Sequence, residues 1–262
     1  MKRNMIFFDV DGTILSHKSH HISESTKDAI KTAQNNGHLA FVNTGRTMAE
    51  IEGEITGIGF DGYVCGCGTY ISYQNTVLLH HTIDPALIRR LLADFDQYRL
   101  DAVLEGTDAI YYDSEVKNPF FMKIRDSQLH SHHFRVLTFQ EPEIRCDKFC
   151  IIPRDGGDLQ GFFQKYSSQF EVIDRGNHFY EIVPLGYSKA TGIRFLEEQL
   201  SIPHENTYAL GDSSNDLSML NYVAYSIAMG NSSKEVLQQA SYITEDVDRD
   251  GVAQALRHFH LV

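Results

Sequence analysis

Hydrophobic and polar positions fall into the same rhythm near both ends of the chain. An apolar run at residues 5–8 stops at Asp9, Asp11 and Gly12. A run this short, without polar alternation, suits a strand buried on both faces of a parallel sheet. Residues 22–36 read as a helix: Ser23 is the cap, Ala29, Ile30 and Ala33 recur at helical spacing, and Gly37 ends it. A second apolar strand at 38–42 runs into Asn43-Thr44-Gly45-Arg46, and a helix at about 48–55 follows. Strand, polar Gly-containing turn and helix thus recur in the order by which an α/β sheet offers backbone N–H groups to an anion. Residues 63–70 alternate with Gly and Cys, and 71–80 make a hairpin about Gln74-Asn75.

The pattern changes at Asp84-Pro85, a helix start with Asp as cap and Pro in the first turn, followed by Leu87, Leu91, Leu92 and Phe95 on one face. From there to Pro184 the spacing predicts short strands at 102–105, 109–112, 148–152, 170–173 and 179–183, with a helix at 159–166. The first rhythm returns after Gly186: helix 189–200, strand 207–210, helix 215–222, strand 225–228, and closing helices at 234–240 and 252–258. The expected fold is α/β, a Rossmann-like three-layer core with a parallel sheet, assigned to 1–82 and 186–262, plus an inserted α+β cap domain at 83–185. No internal repeat or low-complexity tract competes with this reading.

Charge narrows the partners. Lys and Arg number 23 against 35 Asp and Glu, a formal net charge of −12, which argues against nucleic acid or an anionic membrane surface as partner and favours a small substrate. Asp9 interrupts the apolar start before a signal-peptide core forms, and no stretch approaches membrane-spanning length, so a cytoplasmic location is expected. Cys65, Cys67, Cys146 and Cys150 do not make a disulfide framework in a chain of this size and read as reduced, partly buried thiols, with Cys65 and Cys67 on one strand face. The groups His20-His21, His80-His81 and 130–133 follow no ligand spacing and read as surface loops.

The candidate chemistry sits where the apolar strands end. Alternation along an extended chain points Asp9 and Asp11 to the same side, and Gly12 permits the turn that ends the strand. Taken alone, Asp-x-Asp-Gly is equally well read as an ordinary turn. As a site, two carboxylates this close raise each other's pKa unless a cation holds them, so a divalent metal completes the pair. The strand at 207–210 delivers a second acidic cluster, Gly211-Asp212-Ser213-Ser214-Asn215-Asp216, at an equivalent position. Ligands of parallel sheets bind beyond the carboxyl ends of the strands, so Asp9, Asp11, Thr44 and Asp212 are expected to share one pocket.

Taken in order, Asp9-x-Asp11-Gly12-Thr13, Thr44-Gly45-Arg46, Lys189 and Gly211-Asp212-x-x-Asn215-Asp216 resemble the four motifs of the haloacid dehalogenase superfamily. The inserted segment lies between the second and third motifs. Its size resembles the large cap of the Cof-type (class IIB) hydrolases, which act on small phosphate esters, and Asp250-Gly251-Val252 is also similar to their pattern. Lys189 is followed by Ala190 where relatives often carry Gly, a minor departure. The resemblance implies a Mg²⁺-dependent phosphatase for a small, sugar-type phosphorylated metabolite. Asp9 is then the nucleophile that forms an aspartyl-phosphate, and Asp11 is the acid and base. Asp9, Asp212 and the backbone carbonyl of Asp11 hold the metal. Thr44, Gly45, Lys189 and Asn215 hold the phosphate, and Asp216 orients Lys189 or a metal-bound water. Arg46 is open between substrate and a helix-terminal carboxylate. Aromatic residues of the insertion (Tyr111, Tyr112, Phe120, Phe121, His178, Tyr180) are available to a sugar but at this density read as core.

Two other functions fit the same motifs. A phosphomutase or phosphotransferase shares the aspartyl-phosphate and differs only in the acceptor. A non-catalytic phosphosugar-binding protein would be expected to have lost Asp11 or Lys189, and both are present.

Overall fold

A computed structural model describes residues 3–51, 53–131 and 133–262. The chain forms two compact units, one of 1–45, 52–79 and 188–262 and the other of 46–51 and 80–187. Its elements in order are β1 (Met5–Phe8), α1 (Glu24–Asn35), β2 (Leu39–Asn43), α2 (Gly53–Gly57), β3 (Gly62–Cys65), β4 (Tyr70–Tyr73), β5 (Thr76–His80), α3 (Pro85–Gln97), β6 (Leu100–Glu105), β7 (Ile110–Tyr112), α4 (Pro119–Ser131), β8 (Val136–Thr138), β9 (Lys148–Pro153), α5 (Leu159–Tyr166), β10 (Phe170–Asp174), β11 (Tyr180–Pro184), α6 (Lys189–Leu200), β12 (Thr207–Gly211), α7 (Leu217–Tyr222), β13 (Tyr225–Ala228), α8 (Lys234–Gln239), β14 (Tyr242–Ile243) and α9 (Gly251–His258).

The first unit carries a sheet in the order β14-β13-β12-β1-β2-β3-β4-β5. The strands from β14 to β3 pair in parallel, and β4 returns antiparallel to β3. All four residues of β1 are buried, as an apolar strand covered on both faces requires. Met5 and Phe7 pack with Leu39, Phe41 and Ala209 against Ile193 and Leu196 of α6 and Met219 and Leu220 of α7. Ile6 and Phe8 point by alternation to the other side, where α1 and α9 meet and bury Ile30, Ala33, Val252 and Leu256. This is the expected α/β three-layer arrangement. Register aligns Phe8 with Val42 and with Leu210, so Asp9, Asn43 and Gly211 leave the sheet at one edge.

The second unit has a sheet in the order β10-β11-β9-β6-β7-β8. One face is filled by α3 and α5, whose Phe95 and Phe162 meet Phe149, itself edge-on to Phe170, in tilted and edge-on contacts. On the other face lie Val103, Tyr112, Cys150 and Ile152, covered by Val116 and Phe121 of the α4 region. That face also holds a buried ion cluster: Lys148 lies opposite Glu105 in the ladder and bonds its carboxylate, and it stands 3.0 Å from Glu181. Burial, and then Glu50, push the Glu105 carboxyl up to about 8 against the opposing pull of Lys148.

Several local expectations change. The helix expected at 48–55 is broken: Met48–Glu50 is one 3₁₀ turn capped by Thr47, Ile51 is extended, and α2 begins only at Gly53; residue 52 lies outside the described residues. The helix expected at 215–222 starts with a 3₁₀ turn, Ser214–Asp216, before α7. The region 113–147, to which the sequence pattern assigns no element, holds α4 and β8. Cys67 does not share a strand face with Cys65, because β3 ends at Cys65 and Cys67 sits at φ 54 in the next turn. All four cysteines are buried free thiols. His20, His21, His80, His130 and His133 are exposed, but His80 ends β5 and contacts Asp147 at 3.0 Å, His130 lies in the last turn of α4, and His81 is half-buried and stacks on Tyr187; His132 lies outside the described residues. Tyr111, Tyr112 and Phe121 are core, Tyr180 is half-buried, and Phe120 and His178 are exposed. No described helix is long and apolar enough to cross a membrane.

Candidate active site

The edge where β1, β2 and β12 end brings together Asp9, Lys189, Asp212 and Asp216, all within the first unit. Lys189 opens α6, whose N-terminus is set by a reciprocal cap: Ser188 Oγ accepts from Thr191 N, and Thr191 Oγ1 accepts from Ser188 N. From that turn the Lys189 ammonium donates to Asp9 Oδ1 at 2.6 Å and Asp216 Oδ1 at 2.5 Å. Lys189 is 1% exposed, Asp9 4% and Asp216 0%. Burial alone would lower the lysine pKa, but the carboxylates of Asp216 and Asp9 outweigh it and hold the ammonium charged. The other oxygen of Asp216 accepts the backbone N–H groups of Asp212 and Ser213 at 2.9 and 3.0 Å. Asp216 therefore ties the lysine to the turn that carries Asp212.

Asp212 is packed against the first motif. Gly12 has φ +81, and a β-carbon there would lie 2.3 Å from Asp212 Oδ2. Only glycine gives both that conformation and that approach. The Gly12 carbonyl is held by Asn231 Nδ2 at 2.8 Å, and Asn231 Oδ1 accepts from Val247 N. Nothing in the sequence pattern pointed to Asn231, an isolated polar residue in a loop.

The electrostatics test whether a divalent cation fits. One oxygen from each of Asp9, Asp212 and Asp216 lies within 4.8 Å of the others, and all three residues are buried. Burial, and then repulsion from Asp216, push Asp9 up to about 7 against the pull of Lys189. Burial, and then the charge of Asp9, push Asp212 up to about 8. Asp212 Oδ1 is buried with no hydrogen-bond partner among the described residues. One ammonium thus faces several acids, and a carboxylate oxygen is left without a donor. Hard oxygen ligands around a shortage of positive charge fit Mg²⁺. The Asp11 side chain stands outside this three-carboxylate group. The resemblance assigns Asp11 to the metal through its backbone carbonyl and leaves its side chain free of the ion.

The phosphate cradle differs in detail from expectation. Thr44 is 1% exposed at the end of β2, where its N–H donates to Val64 O and its carbonyl accepts from Cys67 N. The break at 51 leaves no α-helix N-terminus directly behind Thr44 and Gly45. Asn215 lies in the turn after β12, where its Oδ1 accepts from Ser213 Oγ at 2.6 Å. Arg46 Nη1 donates to the Glu50 carbonyl at 3.1 Å.

Buried acids and one lysine thus meet at the carboxyl edge of a parallel sheet, where α/β folds bind their ligands. The chain belongs to the haloacid dehalogenase-like hydrolases, whose family profile matches residues 6–256. It is 27% identical over 285 residues to the 5-amino-6-(5-phospho-D-ribitylamino)uracil phosphatase YitU of Bacillus subtilis, covering 98% of each chain. It is 26% identical over 286 residues to the phosphatase YwpJ of the same organism, covering 97% of this chain and 99% of that one. Among solved structures, the subclass IIB sugar phosphatase BT4131 superposes with a TM-score of 0.84 at 25% identity, covering 99% of this chain and 100% of that chain.

Proposed function

We propose that the protein is a Mg²⁺-dependent phosphatase that hydrolyses a small, sugar-type phosphomonoester through an aspartyl-phosphate on Asp9. The observation that carries this reading is the buried Asp9–Lys189–Asp216 chain beside Asp212 with its unpartnered oxygen. The relatives support the substrate class: BT4131 is named a sugar phosphatase, and the named substrate of YitU carries a phosphoribityl group.

A phosphate monoester repels nucleophiles by its own charge, so the site must supply positive charge and a fixed attacker. Lys189 orients Asp9 and favours its ionised form, and Thr44, Gly45 and Asn215 bind the phosphoryl oxygens. Asp9 attacks phosphorus as the bond to the leaving oxygen breaks, and Asp11 gives that oxygen its proton. Asp11 then takes a proton from water as the water attacks the phosphoaspartate, releasing inorganic phosphate and restoring Asp9. Asp9, Asp212 and the Asp11 backbone carbonyl would hold Mg²⁺, which when bound neutralises charge on the phosphoryl group.

The test is release of inorganic phosphate from a panel of phosphorylated metabolites with Mg²⁺. Turnover by wild type and its loss in Asp9→Asn are expected. Full activity in that variant overturns the nucleophile, and an isomeric phosphate ester in place of free phosphate would show a mutase.

A further inference from the structure

The Lys189 ammonium can meet Asp9 only if the first turn of α6 is correctly placed against the sheet. One side chain from the sheet holds that turn directly. Asn43, the last residue of β2 and 0% exposed, donates from Nδ2 to the main-chain carbonyl of Lys189 at 3.0 Å. Its Oδ1 is buried with no hydrogen-bond partner among the described residues, so this bond is what orients the amide. The contact lies beside a close approach of backbones: Gly68, at φ +93, would place a β-carbon 2.5 Å from the Ser188 carbonyl. Asn43 is also covalently joined to Thr44. A single amide therefore links the strand end that carries the hydroxyl to the helix turn that carries the ammonium.

A fully buried position at the end of an apolar strand would ordinarily hold an apolar residue, and a half-satisfied amide there is costly. We propose that Asn43 is a positioning residue, which fixes Lys189 relative to Asp9 and the Thr44 loop and thereby sets the affinity of the site for a phosphoryl group. Small misplacements are costly in such a site, since about 1 Å can lower a rate by roughly a hundredfold. This inference rests on the phosphatase reading.

The experiment is calorimetric titration of inorganic phosphate, with Mg²⁺, into the full chain as wild type, Asn43→Leu, Lys189→Met and the double variant, with thermal unfolding of each. Asn43→Leu keeps the shape and removes the donor, and Asn43→Ser serves if it does not fold; Lys189→Arg replaces Lys189→Met on the same ground. Phosphate affinity should fall at least about fivefold in the Asn43 variant but less than about twofold when the change is made beside altered Lys189, because effects through one shared group are not additive. Unaltered affinity, the same loss in both backgrounds, or failure of both Asn43 variants to fold overturns the assignment. Wild-type protein that binds no phosphate overturns the phosphatase reading and this inference with it, whereas a binding wild type with an unaffected variant overturns the positioning role alone.

Discussion

Lys189 Nζ stands 2.6 Å from Asp9 Oδ1 with both side chains shut away from solvent. Lys189→Met would strand the Asp9 and Asp216 carboxylates in the interior, and breaking a buried pair by removing one partner costs about 3–5 kcal/mol. Urea unfolding of the metal-free variant should show a loss of that order.

The acids also set a pH dependence. Asp9 and Asp212 are raised from an ordinary 3.8 to about 7 and about 8 in the absence of metal. Between those values the folded chain holds protons that the unfolded chain has released, so metal-free stability falls as pH rises from about 4 to about 8. The melting temperature in EDTA should decline across this window. Mg²⁺ should remove most of the decline near pH 8, and Asp212→Asn should weaken it. A flat profile in EDTA would contradict this account of the site.

Gly12→Ala combines an unfavourable φ with a β-carbon 2.3 Å from Asp212 Oδ2. The strain is of the order of 1–3 kcal/mol, and Asp212 must move to relieve it. A several-fold weaker Mg²⁺ dependence of turnover is expected, measured by metal titration at fixed substrate.

Asp11→Asn should separate two roles. Loss of an acid and base costs about 10²–10⁴ in rate, while the Asp9, Asp212 and Asp216 group remains intact. Turnover should fall by that factor with Mg²⁺ binding, followed by the metal-induced rise in melting temperature, largely unchanged.

In the second unit, Lys148→Met would remove the ammonium that Glu105 and Glu181 share, with Arg175 still 3.5 Å from Glu181. A destabilisation of about 3–5 kcal/mol is expected. Adding Glu105→Gln and Glu181→Gln should recover part of it, as judged by thermal unfolding.

The sequence reads well where one physical cause dominates. Unbroken apolar runs ending in polar clusters located β1, β2 and β12, and with them the edge that holds Asp9, Thr44 and Asp212. The hairpin about Gln74-Asn75 was equally legible, since both residues take positive φ, as a tight two-residue turn requires. Helix α4 was not, because its apolar residues do not line one face: Phe120, Met122 and Leu129 are exposed while Gln128 is buried and accepts from Tyr112. Strands β8 and β14, of three and two residues, are too short to show a period. The break at Ile51 hid behind helix-compatible residues. Asn43 and Asn231 were missed for another reason: each acts through one backbone carbonyl far away in sequence, and a contact of that kind leaves no local pattern.

The central place of β1 has a consequence for synthesis. One of its edges pairs with β2, but the other waits for β12, which begins at Thr207. At about 5–20 residues per second, the ribosome needs roughly 10–40 s to supply it. Throughout that interval the nascent chain carries an open, strongly apolar strand edge, the kind that invites aggregation and chaperone capture. Lys189 emerges shortly before β12, and Asp212 and Asp216 directly after it, so the proposed site can assemble only once that strand has been made.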